Sequence, residues 1–181
     1  MSEERLAKPG LSCPSSRHPN QLTKKEGDIL NELQHCKFVS AVKPGALIDN
    51  NTATADVIDC RGFDYATVVV QLGATDIAMT ALKVQNSATS GGSYADITGA
   101  TFAGGSGLGG ATLALPSATD DGQTCVFQID LRGLDPFLKL VATFGDGSTG
   151  GYIAAVAILS RAKFPPITSA ATADGDVCLV V

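Results

Sequence analysis

Residues 124–131, TCVFQIDL, alternate without a break: Cys125, Phe127, Ile129 and Leu131 fall on one side, and Thr124, Val126, Gln128 and Asp130 on the other. A period of two marks a strand with one side turned to a core and the other to water. Working forward, Arg132-Gly133-Leu134-Asp135-Pro136 turns the chain into a second run, Phe137 to Phe144. The stretch from Gly145 to Gly150 then turns it into a third, Tyr152 to Ser160. This third run is apolar on both sides, with Ile153, Ala155, Ala157 and Leu159 against Tyr152, Ala154, Val156 and Ile158. A strand with two dry sides lies between layers or against another subunit.

Working backward, DYATVVVQLGATDIAMTALKVQNS (64–87) carries Ala66, Val68, Val70 and Leu72 on one side of a strand. After a turn at Gly73-Ala74-Thr75-Asp76, Leu82 and Val84 point inward opposite Lys83 and Gln85. Met79 and Thr80 break the register and mark a bulge. These two strands read as neighbours in a hairpin. Shorter candidates at 53–59, 95–102 and 111–115 raise the count to seven or eight strands, with no crossover helix between them. The pattern predicts an all-β fold, an antiparallel β-sandwich with the jelly roll as its expected form, carrying an extended N-terminal arm that contains a short helix.

The arm is residues 1–45, the sandwich body 46–167, and 168–181 a C-terminal tail or last strand. The arm holds both histidines, all of the glutamates, and prolines at 9, 14, 19 and 44. Pro and Ser keep its first part extended. From Leu22 to Cys36 a faint helical stripe, Leu22, Ile29, Leu30 and Leu33, is weakened by Gly27. Pro165-Pro166 ends the sheet, and the closing residues DVCLVV are β-prone: either an added strand for a neighbouring chain or the last strand of their own sheet.

Charge follows the same division. Through Lys43 the chain carries +2; from residue 44 onward it carries −7, giving the net −5. After Glu32 every acid is Asp, which suits turns rather than helices. An acidic body argues against nucleic acid as partner, because phosphate binding needs clustered Lys and Arg. The longest fully apolar run, Tyr152 to Leu159, falls far short of the roughly 18 residues of a membrane span, so no membrane is expected. Five scattered cysteines, an odd number without CxxC spacing, and no apolar leader predict reduced thiols in a non-secreted protein.

Motifs with chemistry in them fare poorly. Gly105, Gly107 and Gly110 satisfy GxGxxG, yet the strand-like Ala111-Thr112-Leu113-Ala114-Leu115-Pro116 follows where a helix would have to begin, so a flexible surface loop is expected. Cys13, His18, His35 and Cys36 are badly spaced for zinc, and no metal or other cofactor is expected. Asp120-Asp121-Gly122 and Asp146-Gly147-Ser148 lack the regular oxygen ligands of a calcium loop and read as turns. Neither a GxSxG elbow nor a histidine occurs in the body, and catalysis is not expected.

Three runs, ALIDNNTATADVIDCRGFDYATVVVQLGATDIAMTALKVQNS, LPSATDDGQTCVFQIDLRG and FLKLVATFGDGSTGGYIAAVAILSRAKFPP, together resemble the small capsid decoration, or cement, proteins of tailed bacteriophages over residues 46–167. The resemblance implies a structural protein on the outer surface of the capsid, made in the host cytoplasm. Such proteins are often trimers that bind the major capsid protein and clamp neighbouring subunits. On this reading Leu22, Lys24, Lys25, Ile29, Leu30, Leu33 and Phe38 are the expected capsid contacts, and Tyr152, Val156 and Ile158 the expected subunit interface. Alternatively the helix packs on its own body. The competing function is a receptor- or carbohydrate-binding jelly roll of a phage fibre or tail, disfavoured by three tyrosines and no Trp as stacking platforms. An enzyme built on the glycine loop would instead bind nucleotides saturably.

Overall fold

The alternation of the sequence becomes an alternation of burial. In the strand Thr124–Asp130, Cys125, Phe127 and Ile129 are buried, while Thr124, Val126, Gln128 and Asp130 are exposed. The computed structural model describes residues 36–163. Eight strands occur there: β1 (Lys37–Val42), β2 (Ile58–Asp59), β3 (Phe63–Thr75), β4 (Met79–Ser87), β5 (Ala95–Thr101), β6 (Thr124–Asp130), β7 (Phe137–Phe144) and β8 (Gly151–Ala162). No α-helix is found among the described residues, and the expected arm helix lies outside them.

The strands form two antiparallel four-stranded sheets, ordered β1-β8-β3-β6 and β2-β7-β4-β5. The chain changes sheet at every connection except β4 to β5. This is the jelly-roll order, in which strands distant in sequence pair and consecutive ones face each other. The longest ladder shows it: β3 lies between β8 and β6, with Val69 opposite both Val156 and Val126. Sheet β1-β8-β3-β6 lines the core with Val39, Ala66, Val68, Val70, Ala155, Ala157 and Leu159. The other sheet lines it with Ile58, Leu82, Val84, Leu138, Leu140 and Phe144.

Three sequence expectations need correction. The strands in 64–87 are not a hairpin, since β3 and β4 belong to different sheets. Each carries an apolar side that must be buried; the turn at 76–78 crosses from layer to layer, so the two sides look toward one core rather than sharing a sheet face. The sandwich also begins earlier than residue 46, because β1, inside the stretch read as arm, pairs with β8 from Lys37 opposite Leu159 onward. Finally, residues 111–115 form no strand, and 53–59 contributes only Ile58–Asp59. The bulge at Met79 and Thr80 is present: the β4–β7 register shifts between Met79 and Ala81.

Glycine loop 103–110 is closed by backbone bonds into a small hairpin. Gly104 N donates to Leu113 O at 3.0 Å, and Gly107 N to Ala111 O at 2.7 Å. Its tip is one 3₁₀ turn, Leu108–Gly110, and Ala111 leaves it extended rather than helical. The helix N-terminus that a dinucleotide site requires is therefore not there.

Candidate functional site

The outer sides of the two sheets are chemically unlike. On sheet β2-β7-β4-β5 the outer side is charged and solvated: Lys83 Nζ lies 2.7 Å from Asp96 Oδ2, Gln85 donates to Asp96 Oδ1 at 2.7 Å, and Lys139 lies over the Tyr94 ring. On sheet β1-β8-β3-β6 the register instead builds an uncharged face. Val126, Val69, Val156 and Ser40 form one row across its four strands. Gln128, Thr67, Ile158 and Phe38 form the next. Among the described residues, the exposed large hydrophobic side chains, Val126 (45%), Tyr152 (46%) and Val156 (43%), all lie on this face. Directly opposed side chains in antiparallel strands touch, so the valines form a continuous strip rather than scattered apolar points.

Gly73 permits part of this surface. A Cβ there would come within 2.9 Å of Tyr152 Cβ, so the ring lies over bare backbone. A shallow cleft beside it is lined by Pro44, Gly45, Gln71 and Tyr152.

Charge is kept to the rim of the face. Asp130 accepts from Arg132 Nε at 2.9 Å, and that guanidinium holds its carboxyl well below the usual carboxylate range. Arg161 lies 5.3 Å over the Tyr65 ring. At the same end of the sandwich Arg61 lowers Asp59 in the same way. These pairs are solvent-exposed and contribute little to stability.

The acidic turn motifs hold backbone. Asp120 Oδ2 accepts from Ser117 N at 2.7 Å, and Asp121 Oδ1 from Thr75 N at 2.8 Å. In loop 145–150 the organising carboxylate is one that sequence reasoning missed. Asp76 accepts from the N–H groups of Ser148 (3.0 Å), Thr149 (2.7 Å) and Gly150 (2.6 Å). Burial pushes Asp76 up, but these N–H groups together hold it below its ordinary value. Its position in the turn that follows β3 was the available signal, yet its partners lie more than 70 residues away. The described residues hold no group of three or more His, Cys, Asp or Glu side chains placed to bind a metal. A cleft of 540 Å³ forms a crease between residues 42–49 and 51–56, with the exposed Lys43–Asp56 pair on its lining.

Of the expected contact residues, Phe38 lies in β1 on the uncharged face, opposite Ile158. Tyr152, Val156 and Ile158 share that face. Leu22, Lys24, Lys25, Ile29, Leu30 and Leu33 lie outside the described residues, as do Cys13, His18 and His35. Val69 and Val126, which complete the strip, were not singled out from the sequence.

Fold and face together define a jelly-roll β-sandwich with one uncharged outer side that carries an apolar strip. No protein-family model matches the chain, and no curated protein does. Among solved structures it is similar to the crystal structure of SPBc2 prophage-derived protein YomS, over 68% of this chain and 91% of that one, with a TM-score of 0.41 and 13% identity.

Proposed function

We propose that this chain is a structural protein of a phage particle that binds the outer surface of the capsid and stabilises it by clamping neighbouring capsid subunits. It works as a homo-oligomer, with a trimer as the expected form, and transforms no substrate. The observation that carries this reading is the valine strip Val126–Val69–Val156 on an otherwise uncharged sheet face. In an acidic chain, an uncharged face with an apolar strip suits contact with another protein surface and neither nucleic acid nor solvent. The sequence resemblance to decoration proteins supplies the partner, the major capsid protein.

The test is to mix the full chain with expanded capsids and, separately, with duplex DNA, and to follow co-sedimentation. Saturable binding to capsids with none to DNA is expected; binding to DNA, or failure to sediment with capsids, would refute the reading. A second reading, receptor or carbohydrate binding, draws on Tyr152 beside its shallow cleft. Saccharide binding lost in Tyr152→Ala, without capsid binding, would select it.

A further inference from the structure

We propose that the open edge of β6, with the cleft beside it, binds residues 176–181 (DVCLVV) of the same chain as an antiparallel fifth strand of sheet β1-β8-β3-β6. Leu131 N donates to Asp64 O at 3.0 Å and Leu72 N to Gln123 O at 2.9 Å, which fixes the phase of the β3–β6 ladder. Odd-numbered residues of β6 turn their backbone toward β3. Thr124, Val126 and Gln128 therefore point their N–H and C=O groups outward, where no described residue pairs with them.

Edge strands are normally blunted by brevity, bulges, proline or inward charge. The other edges of this sandwich show such devices: β2 is two residues long, β1 has a bulge between Ser40 and Val42 and is met by Asp56 N at Ala41 O, and the β5 ladder shifts register beside the charged Asp96. β6 has none of them. Beside its edge runs a 280 Å³ cleft between residues 126–129, the end of β5 and the glycine hairpin, walled by Phe102, Leu113 and Ile129. Phe102 packs edge-on against Phe127 at 5.0 Å and so lies at the open side of the core.

The exit point of the chain selects the occupant. Ala162 pairs with Phe63, and Tyr65 pairs with Asp130, so the last described residues lie at the Asp130 end of β6 with only β3 between. Lys163 N is fixed there to Gly62 O at 2.8 Å. The lateral distance is about 10 Å, and the intervening residues 164–175 extend to as much as about 40 Å. A strand laid from that end runs opposite to β6. Residues 177–181 are apolar at both parities, as this position requires: one side meets Phe102 and Leu113, the other continues the exposed Val126. Residues 1–35 are a poorer match, carrying charges and prolines that cannot donate to a ladder. Tethering raises the local concentration of the segment to the millimolar range, which favours the same chain over a second copy.

Amide hydrogen exchange read by NMR on the full chain tests this. Val126 and Gln128 amides are expected to exchange at least about tenfold more slowly in the wild type than in a V177D/L179D double variant. The rate in the wild type should not depend on protein concentration. Val68 and Val70 amides, inside the sheet, should be unaffected and so report an intact body. Equal exchange of Val126 and Gln128 in both proteins would overturn the proposal, as would protection that grows with concentration, which would assign the strand to another copy.

Discussion

Replacing Val156 by Asp separates a face that meets another protein from a face that is merely apolar. Val156 is 43% exposed and sits in register between Val69 and Ser40. Complete burial of a valine side chain is worth roughly 1.5–3 kcal/mol, so covering the part still in water contributes about 0.6–1.3 kcal/mol to any contact. Val156→Asp forfeits that gain. It also places a carboxylate in the contact with no cation among its paired neighbours, and uncompensated burial of a charge costs several kcal/mol more. A total of at least about 3 kcal/mol raises the dissociation constant more than about 100-fold. In the isolated chain the same side chain points to water, and the cost is limited to strand preference, about 1 kcal/mol or less. The assay pairs urea denaturation of dilute protein with a sedimentation titration onto expanded capsids. Val141→Asp, on the outer side of the other sheet opposite Lys83, is the control and should leave binding intact. The reasoning fails if V156D binds as well as wild type. It fails equally if V156D unfolds the dilute protein, because the face would then be covered by the chain itself.

Two further outcomes follow from local chemistry. Asp59, Asp76, Asp96, Asp120 and Asp130 are all held below their ordinary values by N–H or cationic partners, so each contributes stability above the unfolded carboxylate range and loses it as pH falls through its folded value. Urea midpoints should be nearly flat from about pH 7 to 5 and decline below about pH 4; a midpoint that rises on acidification would contradict this. Burial pushes the Cys60 thiol up to about 12 and raises Cys125 as well. Iodoacetamide at about pH 8 should leave both unmodified in the folded protein and label both in urea, as read by mass spectrometry; rapid labelling of either in the native state would refute their burial.

Strand existence was legible wherever burial imposed a clean period of two, as in β6 and β3, and the strand count with its absence of crossover helices sufficed for the jelly-roll class. Pairing was less accessible. Leu82 and Val84 must be buried whether β4 lies beside β3 or across from it, and only long-range register decides. β1 is hidden differently: its alternation of Val39 and Ala41 with Phe38 and Ser40 follows directly on a stretch of helical pattern in the sequence, and four residues are too few to separate the two periods. β2, at two residues, leaves no period to read. The face was half visible, because β8 announced two dry sides. Val69 and Val126, however, each sit on the polar side of their own strand, and each looks like an isolated valine. They become a strip only when β3 lies between β6 and β8, joining residues 57 positions apart in sequence.

Size constrains how such a face can work. Four strands at about 4.8 Å spacing and six or seven residues at about 3.3 Å give a footprint of roughly 400 Å², against about 800 Å² per partner in a stable pairwise complex. A contact confined to this face is therefore weak taken singly, and polar rim pairs such as Asp130–Arg132 add little to it. Two routes enlarge it. A fifth strand at β6 would widen the footprint by about a quarter and continue the apolar row beyond Val126. Repetition of the contact on a shell, with copies joined in an oligomer, converts weak single contacts into high avidity without new chemistry. The two proposals thus touch at Val126, which belongs to both the strip and the open edge. If the strand closes that edge, V177D/L179D should weaken capsid association as well as unprotect the β6 amides, whereas V156D should weaken association and leave those amides slow.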